Sequence, residues 1–341
     1  MEAAWAAGAV ARMLEGGPAL WLAPGTPPEL PAGVGAVVAT SGSTGESKPV
    51  VLSRTALRAA AASSQQRLGA PLTWHLALAP HYVAGLMVLV RSHAAGRSPV
   101  LGATDLSDAR PTGGGDALSI VPTQLHRALR SATVTAELAR FDAILVGGAA
   151  LGGELRARAE GAGLRIIETY GMSETCGGCV WDGVPLPGVE VRILPDGRAP
   201  EGSGRIALGG QMLFDGYLGG EAPSAEFLTG DFGTFDGTRL VVGGRLDDVV
   251  ITGGVNVDLS RVRRAVEARE QDAAVLAVPD EEWGVRIVLF APHGDLAAWR
   301  DALSADLPRS ALPRQFVLVG SLPRTAGGKP DRSALLEWVQ S

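Results

Sequence analysis

Between residues 36 and 168 short apolar runs alternate with longer stretches of helical character. The apolar runs predict strands at 36–40, 72–79, 98–102, 117–121, 143–147 and 164–168. Between them the pattern predicts an Ala-rich helix from Arg54 to Arg67, one from Val83 to His93, one opening on Pro122 and one near 153–162. Strands that alternate with helices form a largely parallel, doubly wound sheet, and such sheets take ligands at the carboxyl ends of their strands. Residues 180–245 read differently. Short strands at 189–194, 204–208 and 239–242 are cut by Gly, Pro and the turn pairs Asp196-Gly197 and Asp236-Gly237, which predicts a small all-β layer. From Asp248 the pattern is α+β: helices from Leu259 to Arg269, Leu296 to Leu307 and from Asp331, with strands at 273–278, 284–290 and 315–319. The expected class is therefore α/β, a large N-terminal domain followed by a smaller α+β domain.

Composition narrows the function. The chain has 341 residues, 46% hydrophobic and 19% charged, enough to build a sizeable core in two domains. Its net charge of −6 argues against nonspecific nucleic-acid binding. The longest apolar run, Val83 to Val90, stops at Arg91 and is too short to span a bilayer. The N-terminus lacks the positive region of a signal peptide, so a cytoplasmic protein is expected. The only cysteines, Cys176 and Cys179, have a C-G-G-C spacing that invites a redox or zinc reading. A structural zinc site wants four ligands and no second pair exists, so two small residues packed beside a loop are the simpler reading.

The candidate chemistry starts at Thr40-Ser41-Gly42-Ser43-Thr44-Gly45-Glu46-Ser47-Lys48, directly after an apolar strand. Glycines let the backbone point N–H groups at phosphate oxygens, hydroxyls add donors and Lys48 adds charge. It is not a Walker loop, because Ser47 and Pro49 stand where Gly and Ser/Thr are required. It is not a dinucleotide fingerprint either, since Gly42 and Gly45 are too few and wrongly spaced. Alone it reads equally well as a flexible Gly/Ser turn.

Four further clusters follow: Glu168-Thr169-Tyr170-Gly171-Met172-Ser173-Glu174-Thr175, Thr229-Gly230-Asp231, the 244–256 stretch with Arg245, Asp247 and Gly253-Gly254, and the Gly-rich 323–332 stretch with Lys329. Each has a plain reading: a turn at Thr229-Gly230-Asp231, a hairpin at Gly253-Gly254, a solvated lysine at Lys329. In this order and together they resemble the adenylate-forming superfamily of acyl-CoA synthetases, luciferases and adenylation domains, from about residue 36 to the end. The resemblance implies activation of a carboxylate by Mg-ATP to an acyl-adenylate, then transfer to a thiol such as CoA. It implies domains at 1–246 and 247–341, the second mobile about a hinge at Asp247.

The chemistry suits these residues. A carboxylate is a poor electrophile because oxide would have to leave, and AMP supplies a better leaving group. Carboxylate and triphosphate repel, so placed cations and donors must offset that repulsion away from water. By the resemblance, Thr40, Ser41, Gly42, Ser43, Thr44, Gly45 and Lys48 cradle the β- and γ-phosphates. Ser173 bonds the α-phosphate, Glu174 holds Mg²⁺ and Tyr170 stacks on adenine, flanked by Thr169 and Gly171. Asp231 and Arg245 take the ribose. Lys329 bridges carboxylate and α-phosphate as a compact charge. Gly253 and Gly254 line the thiol tunnel.

Residues 80–92 and Val121-Pro122-Thr123-Gln124-Leu125 further resemble the o-succinylbenzoate–CoA ligases of menaquinone synthesis, short actinobacterial forms among them. That acid carries two carboxylates on an aromatic keto scaffold, and the one not activated needs a polar partner. Arg91 is the candidate, because a buried arginine is costly unless paired. The alternative is a helix-end arginine bonded to the last carbonyls. His81 and Tyr82, with Gly147 and Gly148, are the other acid-pocket candidates, although His81 and Tyr82 read equally as core residues with polar tips.

The chain departs from the family at Ser47 and Pro49, where Pro and Gly usually flank the lysine, and at Tyr82, where His is common. Its phosphate loop begins early, at Thr40, so by the resemblance a large N-terminal subdomain is expected to be missing or reduced, leaving an apolar face that favours a homodimer. Adenylation of another acid, carrier-protein loading and a catalytically dead module are the competing readings. Intact Glu174, Asp231 and Lys329 argue against the last.

Overall fold

The alternation of strands and helices is realised in a seven-stranded sheet. Its order is Val184–Pro185, Gly177–Trp181, Ile166–Met172, Ala143–Val146, Asp116–Ile120, Thr73–Leu76, Val100–Leu101. The five strands from Ile166–Met172 to Val100–Leu101 are parallel, and Gly177–Trp181 turns back antiparallel on Ile166–Met172. The computed structural model describes residues 3–39, 48–220, 225–270, 272–323 and 330–340. Thr40, Ser41, Gly42, Ser43, Thr44 and Gly45 of the phosphate loop, and Lys329, lie outside the described residues.

Local chemistry explains the helices. Ser53 caps Arg54–Leu68, its side chain accepting from Ala56 N, and Gly69 closes that helix in the left-handed conformation that glycine adopts without strain. Val83–Ala94 is apolar on nearly every side and is buried from Gly85 to Ser92. Gly85 is obligatory there, because a Cβ would stand 2.3 Å from Ala79 O. One face of the parallel sheet packs Leu118, Ile120, Ile144 and Val146 with Leu125, Leu138 and Phe141.

One expectation is corrected. The strand before the phosphate loop, Val34–Ala39, does not belong to the parallel sheet. It lies in a separate four-stranded sheet, Leu20–Leu22, Val34–Ala39, Pro49–Ser53, Gly216–Tyr217, where it pairs antiparallel with Pro49–Ser53. Ala39 faces Pro49, so the loop joins two antiparallel neighbours rather than a strand and a crossover helix. The periodicity of an apolar run does not say which partner it will find.

The chain forms two units. One contains Met1–Val191, Leu208–Phe227 and Asp236–Leu240; the other contains Arg192–Ala207, Leu228–Phe235 and Val241–Ser341. The predicted β layer appears as a sheet ordered Glu190–Leu194, Gly204–Gly209, Glu226–Phe235, Leu240–Arg245. Thr229-Gly230-Asp231 is not a turn but the middle of its ten-residue strand. In the second unit Val249–Thr252 and Val255–Asp258 form a hairpin across Gly253-Gly254, whose φ angles of 57° and 78° suit a tight two-residue turn.

The rest of that unit is a three-stranded sheet of Ala274–Asp280, Gly284–Ala291 and Gln315–Leu318. Its central strand alternates cleanly. Ile287, Leu289 and Ala291 pack with Val262, Val266 and Leu303, while Val288 and Phe290 pack with Leu335 on the other face. Asp258 and Asp295 cap Leu259–Glu267 and Leu296–Leu303 through their side chains.

Candidate active site

The carboxyl ends of the parallel strands enclose a cavity of about 100 Å³. Ser119 and Ile120 come from one strand end, Leu145, Gly147 and Gly148 from the next, Thr169, Gly171 and Met172 from the third. Ala84, Met87 and Arg91 close it from the helix, a spacing of three and four that puts them on one face. Two glycines are set by close approach. A Cβ on Gly147 would stand 2.2 Å from Thr169 Oγ1, and one on Gly171 would stand 2.1 Å from Gly177 O.

Arg91 is buried at 6% exposure and lines this cavity. Its Nε donates to Ser64 Oγ at 3.1 Å and its guanidinium lies 5.1 Å from the centre of the Trp74 ring. Among the described residues it forms neither an ion pair nor a hydrogen bond to the last helix carbonyls, so the helix-capping alternative is not realised. Burial pulls its pKa down to about 10, against a smaller opposing effect of Cys176. Ser119 Oγ, in the same cavity wall, is buried without a hydrogen-bond partner among the described residues. Sequence reasoning passed over Ser119; a serine inside the apolar run Ala117-Leu118-Ser119-Ile120 was the available signal.

His81 and Tyr82, expected beside Arg91, are exposed and absent from the cavity wall. Their rings touch each other at 4.3 Å between centroids, and Tyr82 supplies only the backbone start of the helix. Gly147, Gly148, Thr169 and Gly171 do line the cavity.

Tyr170 lies on the Ile166–Met172 strand, and Ser173 opens the short turn Ser173–Thr175 that follows. Thr175 Oγ1 secures that turn, accepting from Met172 N at 2.9 Å and donating to Gly177 O at 2.7 Å. The turn leaves Glu174 buried at 8% exposure. Glu174 O accepts from Phe214 N at 2.9 Å, and Glu174 Oε1 accepts from the Tyr217 hydroxyl at 2.8 Å. Burial first, then the Glu174 carboxylate, push the Tyr217 phenol well above its ordinary pKa, so it stays a donor. Lys48 is exposed and its ammonium lies 5.4 Å from the centre of the Tyr217 ring. Tyr217 is a second residue that the sequence patterns did not single out.

In the second unit Asp231 and Arg245 stand on neighbouring strands, Nε to Oδ1 at 3.6 Å. The guanidinium lies beside Gly230, where a Cβ would stand 2.9 Å from Arg245 Nη2. Burial alone would lower the Arg245 pKa, but Asp231 and Asp247 raise it on balance. Asp247 is exposed within the turn Leu246–Asp248 and also pairs with Arg245, at 3.2 Å. Gly253 packs against Trp283, over whose ring Arg314 is stacked at 3.4 Å.

Cys176 and Cys179 are free and fully buried, and burial raises both thiols, Cys179 to about 12. They pack as buried, protonated thiols, the environment in which a cysteine is expected to react least. Among the described residues no group of three or more His, Cys, Asp or Glu could hold a metal by itself. No described helix is long and apolar enough to cross a membrane.

Residues 15–218 match the model of the AMP-binding enzyme family. A probable 2-succinylbenzoate–CoA ligase of Mycobacterium tuberculosis is 40% identical over 328 residues, covering 89% of this chain and 84% of the relative. The 2-succinylbenzoate–CoA ligase of Escherichia coli is 30% identical over 324 residues, covering 88% and 68%. Among solved structures the fold is similar to o-succinylbenzoate CoA synthetase from Bacillus subtilis in complex with its acyl-adenylate intermediate. The TM-score is 0.76 at 26% identity, covering 89% of this chain and 69% of the other.

Proposed function

We propose, from the premise that this chain belongs to the AMP-binding enzyme family, that it joins o-succinylbenzoate to CoA in menaquinone synthesis. It is an ATP-dependent, AMP-forming acid–CoA ligase. The observation that carries the choice of acid is the cavity at the strand ends. It is largely apolar, yet it holds a buried guanidinium without a carboxylate partner among the described residues, and a buried hydroxyl without any. A monocarboxylic acid consumed at its only charge would leave Arg91 uncompensated. An aromatic keto acid with a second carboxylate supplies both the anion and the apolar ring.

The roles follow from the chemistry of each group. Thr40, Ser41, Gly42, Ser43, Thr44, Gly45 and Lys48 hold the β- and γ-phosphates, and Ser173 holds the α-phosphate. Tyr170, between Thr169 and Gly171, receives the adenine, and the Asp231–Arg245 pair receives the ribose. Lys329 draws the acid carboxylate onto the α-phosphate. Rotation of residues 247–341 about Asp247 then brings Gly253 and Gly254 to the adenylate, where their lack of side chains lets the CoA thiol pass. Magnesium fits Glu174: Oε2 has no hydrogen bond among the described residues, and magnesium is commonly held by one carboxylate plus phosphate oxygens and water. Bound there it neutralises phosphate charge. We extend the reading to a cytoplasmic homodimer, which light scattering in solution tests.

Mass spectrometry of a mixture of the protein, ATP, Mg²⁺, CoA and o-succinylbenzoate tests the reading. The expected products are o-succinylbenzoyl-CoA, AMP and pyrophosphate. Thioesters of benzoate or fatty acids in its place would transfer the reading to another acid. Lys329→Ala should abolish adenylate formation and spare thioester formation from synthetic acyl-adenylate.

A further inference from the structure

The reading of Glu174 as the magnesium carboxylate leaves open what aims it. Glu174 sits on a three-residue turn, and a glutamate side chain has three rotatable bonds. Such a carboxylate is placed by what bonds its second oxygen. Here that partner is Tyr217, whose hydroxyl donates to Oε1 at 2.8 Å. Tyr217 is itself firmly placed. Its strand pairs with Pro49–Ser53, the strand that leaves the phosphate loop, with Tyr217 opposite Val50. Asp215 N and Leu218 N donate to Val51 O and Pro49 O, both at 2.9 Å, and Phe214 N ties the same segment to Glu174 O. The Phe214 and Tyr217 rings meet edge to face at 5.2 Å. Lys48, the last residue of the phosphate loop, lies over the Tyr217 ring.

We infer that Tyr217 is a positioning residue: its hydroxyl fixes Glu174 Oε1 so that Oε2 is presented to the magnesium that accompanies ATP, and its strand holds that carboxylate in register with the exit of the phosphate loop. This rests on the magnesium role proposed for Glu174. It concerns ATP and metal only, and is independent of which acid the enzyme takes.

Tyr217→Phe removes the hydroxyl and keeps the ring under Lys48. ATP binding is measured by calorimetry with Mg²⁺ and with EDTA, and half-saturating Mg²⁺ is measured by ATP–pyrophosphate exchange. The expected result is a rise on the order of 10-fold in the Mg²⁺ requirement, weaker binding of Mg-ATP and unchanged binding of metal-free ATP. Thioester formation from preformed acyl-adenylate should keep its rate. Glu174→Gln separates the two claims. If Glu174→Gln shifts the Mg²⁺ requirement and Tyr217→Phe does not, the positioning role is overturned. If Glu174→Gln does not shift it, the metal role of Glu174 itself fails. An equal loss in both half-reactions, with a lowered melting temperature, would make Tyr217 structural and also overturn the inference.

Discussion

Arg91 Nε donates to Ser64 Oγ at 3.1 Å while Ser64 donates to Ala60 O at 2.8 Å. The serine is therefore satisfied without the arginine, and among the described residues no carboxylate pairs with that charge, whose other neighbour is the Trp74 ring. Arg91→Met should leave folding stability unchanged or raise it by about 1–2 kcal/mol, as when a buried charge gives way to an apolar side chain. The same change should lower kcat/KM for o-succinylbenzoate on the order of 100-fold. Thermal melts and steady-state kinetics read both effects; a large loss of stability with unchanged kinetics would make Arg91 a structural residue.

The lowered pKa of Arg91, about 10, sets a pH dependence. Burial favours the neutral guanidine, so below about 10 the charged form detracts from folding stability, and that penalty is relieved as pH rises from about 10 toward the ordinary 12.5. Under the proposed role of Arg91, acid binding has the opposite sign, because it would use the charged form. KM for the acid should be flat from roughly pH 7 to 9 and climb as pH approaches 10. Arg91→Met should abolish that climb.

Gly171→Ala should destabilise the protein by about 1–3 kcal/mol or more, because the new methyl meets a backbone oxygen that cannot step aside. Chemical denaturation measures the loss. Adenylate formation should fall with it, since Tyr170, Ser173 and Glu174 flank the same strand end.

Cys176 and Cys179 should resist thiol reagents in the native state and react together once the chain is unfolded, because burial keeps both protonated. Rapid labelling of the native protein would reopen a redox role for the C-G-G-C segment.

Much of this was legible in the sequence where local rules agree with the fold. The helix expected from Arg54 to Arg67 spans Arg54–Leu68, because Ser53 and Gly69 are themselves its caps. The helix Val83–Ala94 followed from an apolar run ending in one charge, which left Arg91 open between an acid pocket and the helix end; its place in the cavity wall came only with the fold. What escaped depends on partners distant in sequence. Gly177–Trp181 is rich in glycine and cysteine, yet it is a strand because Ile166–Met172 pairs with it. Thr229-Gly230-Asp231 has turn composition, yet it is strand because Glu226–Phe235 pairs between Gly204–Gly209 and Leu240–Arg245. Tyr217 reaches Glu174 across 43 residues of chain, which no periodicity reports. The plain reading of Gly253-Gly254 as a hairpin turn holds.

The most direct measurement is the ratio of kcat/KM for o-succinylbenzoate over benzoylpropionate, which lacks only the ring carboxylate, read as pyrophosphate release. Wild type should prefer the dicarboxylate on the order of 100-fold, the cost of leaving a buried cation unpaired, and Arg91→Met should erase the preference. Equal turnover of the two acids by wild type would contradict the account.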